Sequence, residues 1–301
     1  MENKNFDVII AGGSYAGLSA GMSLGRSLRN VLIIDNGKPC NRQTPYSHNF
    51  VTHDGKTPGE IAQLAKKDVE KYDTVHFYNG TVVNTQKTTE GFEVKISSGE
   101  QFSTKKLIIA SGVKDMMPEI PGFAECWGIS ILHCPYCHGY EVKNEVTGIL
   151  SNGDMAYEFS KLIFNLTKKL TILTNGKAAF TGEQTEKLNQ NKITVNEDEI
   201  DKIHHENGSI RKIVFKNGKE ISLQALYAKI PFEQNINVSA DLGCELTEQG
   251  FIKVDAMQKT NVPGVFACGD NVTMMRSVAN AVAQGNFAGA VVNKELSDEE
   301  F

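Results

Sequence analysis

The stretch FDVIIAGGSYAGLSAGMSLGRSLRNVLIIDNG, Phe6 to Gly37, decides how the rest of the chain is read. It opens on an apolar β-rich run, turns at Gly12-Gly13-Ser14, continues as a small-residue helix and ends in a second apolar strand closing on Asp35. This order is the outline of a dinucleotide-binding βαβ unit. Gly12 gives the tight turn and Gly17 lets helix pack closely on strand, while the first helical turn points free N–H groups at a pyrophosphate. Ser14 stands where the middle glycine of G-x-G-x-x-G is expected; it is small, and its hydroxyl can donate to phosphate. Asp35 is placed to accept hydrogen bonds from a ribose.

A complementary segment lies near the other end of the chain. TNVPGVFACGDNVTMMRSVANAVAQGNFAGAVVNKEL reads as a turn, a short strand from Val265 to Ala267, the pair Gly269-Asp270 and a long helix rich in Ala and Gly. It resembles the second half of the FAD site in two-dinucleotide flavoproteins, where such an Asp faces the ribityl or pyrophosphate part of the cofactor. Two halves this far apart imply that something is inserted between them.

The bulk numbers fit an ordinary soluble globular protein. The 301 residues allow two domains; 40% of them are apolar and 22% charged. A net charge of -5 with scattered cations leaves no basic footprint for nucleic acid. The N-terminus carries no secretory pattern and no apolar run reaches the length of a membrane span, so the expectation is a cytoplasmic protein with no membrane partner. Six cysteines in a chain of this length suit a reducing compartment.

The inserted part repeats the first domain in smaller form. Before it, residues 80–112 read as a β-meander with turns at Glu90-Gly91 and Ser98-Gly99 that ends the first FAD segment, and the linker MMPEIPGF follows. A second βαβ-like run, VTGILSNGDMAYEFSKLIFNLTKKLTILTNG, comes next, then a hairpin around FKNGKE and the strand ALYAKI. Its glycine fingerprint is worn: Ser151, Gly153 and Ala156 occupy the three glycine positions. After its second strand the chain reads Thr174-Asn175-Gly176-Lys177, with neither the acid of an NAD site nor the arginines of an NADP site. The expected fold is therefore α/β, with two Rossmann-like dinucleotide-binding domains of three-layer ββα type, the second inserted into the first. The expected boundaries are 1–112 and 235–301 for the FAD domain and 113–234 for the insertion.

Between the two fingerprints lies HCPYCHGYE, His133 to Glu141. Two thiols at C-x-x-C spacing can hold a metal, form a structural bridge or relay electrons. Zinc ligation by His133, Cys134, Cys137 and His138 is disfavoured because neighbouring side chains rarely converge on one tetrahedron, and no second C-x-x-C exists. A structural disulfide is disfavoured in a reducing compartment. Redox relay remains the leading use.

An FAD fingerprint split between the two ends, an inserted nucleotide-type domain and a C-x-x-C near its start together resemble the low-molecular-weight thioredoxin reductase family over essentially the full chain. CPYCHGYE, GGSYAGLSAG and NRQTPYSHNFVTHDG are more similar to the branch containing gliotoxin- and holomycin-type dithiol oxidases. The resemblance implies that the cysteine matching Cys137 exchanges electrons with the flavin and the one matching Cys134 reacts with the external thiol or disulfide. It implies an FAD site formed by Gly12, Ser14, Tyr15, Ala16, Asp35, Asn36, Arg42, His48, Asn49, Val83, Ala110, Gly112, Gly269, Asp270, Ser277 and Val278. It also implies a homodimer. Two positions depart from typical thioredoxin reductases: His138 stands where Asp commonly follows the second cysteine, and the arginine-rich NADPH motif is absent.

Thiol–disulfide exchange needs a thiolate, and His138, titrating near neutrality, can take the proton of a substrate thiol or of Cys134. Taken alone, His138 reads as a solvated or core histidine; its place beside Cys137 makes it a catalytic candidate together with Cys134 and Cys137. His133 is a weaker candidate for tuning the thiols. His48 also reads as a loop histidine capping a turn. Cys268 reads as a small buried filler, Cys40, Cys126 and Cys244 as structural, and Trp127 as packing at the linker. Three functions follow. The first is an FAD enzyme that oxidises a small-molecule dithiol and passes the electrons to oxygen; the second, a reductase acting on a thioredoxin-like protein with NADPH or another donor such as ferredoxin. The third is a flavin redox sensor without turnover.

Overall fold

The computed structural model describes residues 4–301. The described residues divide into two compact units: residues 4–42, 50–115 and 232–301 form the first, and residues 43–49 and 116–231 the second. The breaks at 115/116 and 231/232 stand beside the expected 112/113 and 234/235. They differ because the strands Val113–Asp115 and Phe232–Gln234 pair antiparallel with each other and go together into the first unit. Residues 43–49, expected in the first domain, cluster with the second, where Gln43 and Thr44 lie against Gly128.

In the first unit the strands Val75–Asn79, Val31–Asp35, Asn5–Ala11, Gln101–Ile109 and Val265–Ala267 lie in that order and all run parallel. The strands Val82–Thr88 and Gly91–Ile96 extend the sheet as an antiparallel meander onto the first part of Gln101–Ile109. Asn5–Ala11 and Val31–Asp35 are buried on both faces, which is why they read as unbroken apolar runs rather than as alternation. One face packs on Leu18, Leu24, Ile61, Val291 and Leu296, the other on Val94, Phe102, Val238 and Ile252.

Helix Tyr15–Arg26 is caught between this sheet and helix Val278–Glu300, and small residues make the approach possible. A Cβ on Gly285 would stand 2.0 Å from the Ala16 carbonyl oxygen, and one on Gly289 would stand 2.7 Å from that of Ala20. Across the contact, Ser19 Oγ donates to the Val282 carbonyl at 2.7 Å and Ser23 Oγ to that of Asn286 at 3.1 Å.

The second unit holds a parallel sheet in the order Thr194–Asn196, Leu170–Leu173, Thr147–Leu150, Ala225–Ala228, Ile131–Leu132, with helix Gly153–Phe164 against it. A three-stranded antiparallel sheet, Ile200–Glu206, Ser209–Phe215 and Glu220–Ile221, supplies the rest of its core. The expected FKNGKE hairpin is its second turn; the first, at Asn207-Gly208, has no counterpart in the sequence reading. Trp127, expected at the linker, is buried in this unit's core and stacks on Phe123 at 5.8 Å. No helix among the described residues is long and apolar enough to cross a membrane.

Candidate active site

In the first unit the glycine turn does what its residue types allow. Gly12 has φ +114°, and a Cβ there would stand 2.3 Å from the Ala110 carbonyl oxygen; a Cβ on Gly17 would stand 1.8 Å from the oxygen of Gly12 itself. Ser14 is the N-cap of helix Tyr15–Arg26, yet its side chain makes no capping hydrogen bond. The first-turn N–H groups thus keep no side-chain acceptor of their own, the arrangement that suits a phosphate.

Asp35 accepts from Gly13 N and Gly37 N, each at 2.9 Å, so its carboxylate is aimed before any ligand arrives. An open cleft beside it is lined by Gly12, Asp35, Asn36, Thr81, Val82 and Ser111, among others. Val83, expected in the cofactor set, points the other way: strand alternation buries Val82 and leaves Val83 exposed. Tyr15 is buried, its hydroxyl donating to the Pro58 carbonyl and accepting from Asn41 Nδ2, both at 3.3 Å. Ala16 is buried against Gly285, Ala110 is buried above Gly12, and Gly112 turns the chain at φ +65°. Arg42 is exposed and donates to the Pro39 carbonyl.

Around Gly269-Asp270 the structure adds residues that the sequence did not single out. Asp270 Oδ2 lies 3.5 Å from Cys40 Sγ and 3.5 Å from Arg276 Nε. Arg276 is held in turn by both oxygens of Asp115, at 2.8 and 3.1 Å. Burial pushes the Asp270 carboxyl up against the pull of the Arg276 guanidinium, and burial with the charge of Asp270 pushes the Cys40 thiol up to about 12. Cys40, read as structural, is therefore a neutral hydrogen-bonding neighbour of Asp270. Ser277 caps helix Val278–Glu300 by accepting from Asn280 N at 3.2 Å. Cys268 is fully buried, as a filler should be.

The second glycine loop is spent on the protein. Asn152 occupies the N-cap of helix Gly153–Phe164, where its Oδ1 accepts from Gly153 N at 2.8 Å and from Ala179 N at 2.9 Å. Its Nδ2 donates to the Lys177 carbonyl at 2.9 Å. Glu197 clamps the same loop from the other side, accepting from Ala178 N at 2.6 Å and, through its carbonyl, from Gly176 N at 3.1 Å. Asp154 stands in the first helical turn, hydrogen-bonded to Gln184 Nε2 at 2.7 Å. A pyrophosphate arriving here would meet a Gly153 N–H already bonded to Asn152 and the Asp154 carboxylate. Gly153, expected to permit close approach, has φ +59° and would place a Cβ 3.5 Å from the nearest atom, so its backbone conformation rather than crowding calls for glycine.

The cysteines form a disulfide, Cys134–Cys137, with Cα atoms 5.4 Å apart. Cys134 is the N-cap of the single helical turn Pro135–His138, and its Sγ accepts from Cys137 N at 3.2 Å. Pro135 at the first position presets the turn. Gly139 closes it: a Cβ there would stand 2.3 Å from the Pro135 oxygen and 2.4 Å from Leu166 Cδ1.

His138 follows directly, largely buried, and burial holds its imidazole below the usual histidine range. The charge of Glu141 opposes that shift and the charge of His48 adds to it. His48 and His138 meet edge to face with ring centres 6.5 Å apart, and His48 Nε2 lies 3.5 Å from Glu141 Oε1. His48 and Asn49, expected in the cofactor set, thus belong with the second unit, and His48 stands beside the catalytic candidate. His133 stacks at a tilt on Trp127, 6.0 Å between centres. Tyr136, between the two cysteines in sequence, and Tyr140, just beyond them, are both well exposed.

Comparison with known proteins defines the class. Residues 6–285 match the pyridine nucleotide-disulphide oxidoreductase family, and the chain belongs to it. It is 33% identical over 310 residues to the thioredoxin reductase tcpT of Claviceps purpurea, with 98% of this chain and 96% of that protein covered. With the thioredoxin reductase sirT of Leptosphaeria maculans it shares 30% identity over 305 residues, covering 96% and 93% of the two chains. The crystal structure of an oxidoreductase from Agrobacterium tumefaciens superposes with TM-score 0.91 at 36% identity, over 98% of this chain and 99% of that one. The chain is accordingly an enzyme, a thioredoxin reductase-like disulfide oxidoreductase of a family whose members bind FAD. The open cradle at Gly12 and Gly17 and the aimed Asp35 carboxylate fit that cofactor.

Proposed function

We propose that this enzyme works in the oxidising direction, converting a dithiol to a disulfide at Cys134–Cys137. Bound FAD supplies a two-electron acceptor that oxygen can regenerate, so the balanced reaction is R(SH)2 + O2 → R(S–S) + H2O2. His138 takes the proton of the first substrate thiol, and the resulting thiolate attacks Cys134 Sγ, breaking the bond to Cys137. The second substrate thiol resolves the mixed disulfide and leaves Cys134 reduced. Burial suits His138 to this role, because a neutral imidazole is the form that accepts a proton.

The observation that carries the direction is the filled second loop. Three hydrogen bonds at Asn152, each worth roughly 1 kcal/mol net, would have to be given up to a dinucleotide; together they amount to about two decades of affinity. Electrons therefore enter at the cysteines. The Gly12 cradle, with Ser14, Asp35, Asn36, Gly269, Asp270, Ser277 and Val278, is the set we assign to FAD. The favoured substrate is a small-molecule dithiol, the compartment a reducing cytoplasm and the assembly a homodimer.

A second reading, reduction of a thioredoxin-like protein, is favoured by the names of the relatives and by the exposed rings of Tyr136, between the two cysteines in sequence, and Tyr140, just beyond them. Oxygen uptake with peroxide formation, followed across a panel of dithiols, separates the two. Dithiol-dependent uptake that disappears in Cys134→Ser is expected; uptake with no dithiol in the panel, alongside reduction of a thioredoxin disulfide, would overturn the first reading.

A further inference from the structure

Oxidising a dithiol releases two electrons and two protons, and the bookkeeping of the protons is demanding at this site. After the substrate disulfide has formed, one proton sits on the Cys134 thiol. Cys137 is left as thiolate, and the other proton needs a base nearby. His138 is that base in the mechanism above, but its burial disfavours the charged form. Something must support the imidazolium while the Cys137 thiolate lasts.

The second unit contains a carboxylate and a second imidazole in the right place. Glu141 is one turn beyond His138 on the same segment, and the loop 43–49 brings His48 Nε2 to 3.5 Å from Glu141 Oε1. The two rings are 6.5 Å apart and nearly perpendicular. Glu141 is 39% exposed and His48 19%, so the three groups form a half-buried cluster rather than a solvated surface pair. One carboxylate can support one imidazolium; two imidazolium rings at this separation repel each other.

We propose that Glu141, held in place by His48, is a positioning residue that supports the His138 imidazolium while it carries a substrate proton, and that positive charge on His48 opposes that support. This rests on the dithiol-oxidising reading of the same site. The other groups facing the cluster do not compete for the charge. Tyr227, from the strand Ala225–Ala228, stays a neutral phenol because burial, and then the charge of Glu141, push its ionisation up. Lys143, two residues beyond Glu141, lies over the Tyr140 ring at 3.4 Å from its centre.

The arrangement gives two opposed signs. Glu141 raises the affinity of His138 for its proton, so Glu141→Gln lowers it and the neutral base persists to more acid pH. A charged His48 lowers that affinity, so His48→Asn raises it and the neutral base is lost sooner as pH falls. The test is an NMR titration of the imidazole resonances in the oxidised, FAD-loaded full chain without thiol, paired with the pH profile of dithiol-dependent flavin reduction. In Glu141→Gln the His138 titration and the acid limb of the profile are expected to move to lower pH, with the ratio of rates at acid and neutral pH rising about twofold or more. In His48→Asn both are expected to move to higher pH. Glu141→Asp, which keeps the charge, is expected to move them less than Glu141→Gln and guards against a misfolded variant. Movement of both variants in the same direction, or slower rates with an unmoved titration, would overturn the proposal. Shifts of opposite sign in the NMR titration with no dithiol oxidised at any pH would leave the coupling standing and remove the oxidase reading instead.

Discussion

In the first unit the turn between Asn5–Ala11 and Tyr15–Arg26 ends on Ser14, which makes no side-chain cap, and the backbone beside it is cleared by Gly12 and Gly17. In the second unit the equivalent turn ends on Asn152, whose amide joins helix, turn and the 177–179 loop through three hydrogen bonds. Both are strand–turn–helix pieces with a parallel strand following, and both supply helix N-terminal N–H groups. The two turns differ in the side chain at the cap: Ser14 makes no side-chain cap, whereas Asn152 takes Gly153 N and ties the turn to the 177–179 loop.

The contrast can be broken at four places. Cys134→Ser removes the group by which electrons enter if the second loop is closed, and steady-state dithiol oxidation is expected to fall on the order of 10³-fold or more. NADPH should not rescue it. Gly17→Ala puts a methyl into the Gly12 carbonyl at 1.8 Å; loss of the flavin absorbance and destabilisation beyond the usual ~1–3 kcal/mol of overpacking are expected, read by the yellow colour of the purified protein and by denaturant unfolding.

Asn152→Ala acts on the other loop. It removes a helix cap and a loop clamp, costing about 1–3 kcal/mol of stability in a thermal melt while flavin content stays unchanged. The fourth effect is the smallest. His138 is held below its ordinary range in the fold, so the unfolded chain binds the proton more tightly, and the native state loses stability as pH falls through the unfolded-histidine range near 6.5. His138→Asn should flatten that part of the stability–pH curve, by under about 1 kcal/mol.

The sequence made much of this legible and hid specific parts for physical reasons. Gly12, Gly17, Asp35 and the strand Val265–Ala267 were readable because local residue type dictates a turn, a close contact or a buried strand. Ser151 and the missing arginines flagged the second loop as worn. That Asn152 fills it was not readable, since its partners Lys177 and Ala179 lie 25 and 27 residues away and a cap residue looks the same whether it binds one N–H or three groups. Cys40 reaches Asp270 from 230 residues away, and Asp115 reaches Arg276 from 161, with no spacing to announce either. Nothing local reveals that residues 43–49 pack with the second unit and bring His48 beside His138. Val83 is exposed and Val82 buried, a step of strand alternation that the sequence reading did not assign.

The central claim is that electrons enter at Cys134–Cys137 and not at the Asn152 loop. Anaerobic stopped-flow mixing of the FAD-loaded protein with a dithiol and, separately, with NADPH tests it directly through the flavin absorbance. Rapid bleaching by the dithiol with no comparable bleaching by NADPH is the expected result. Rapid bleaching by NADPH, with the dithiol inert, would contradict the account.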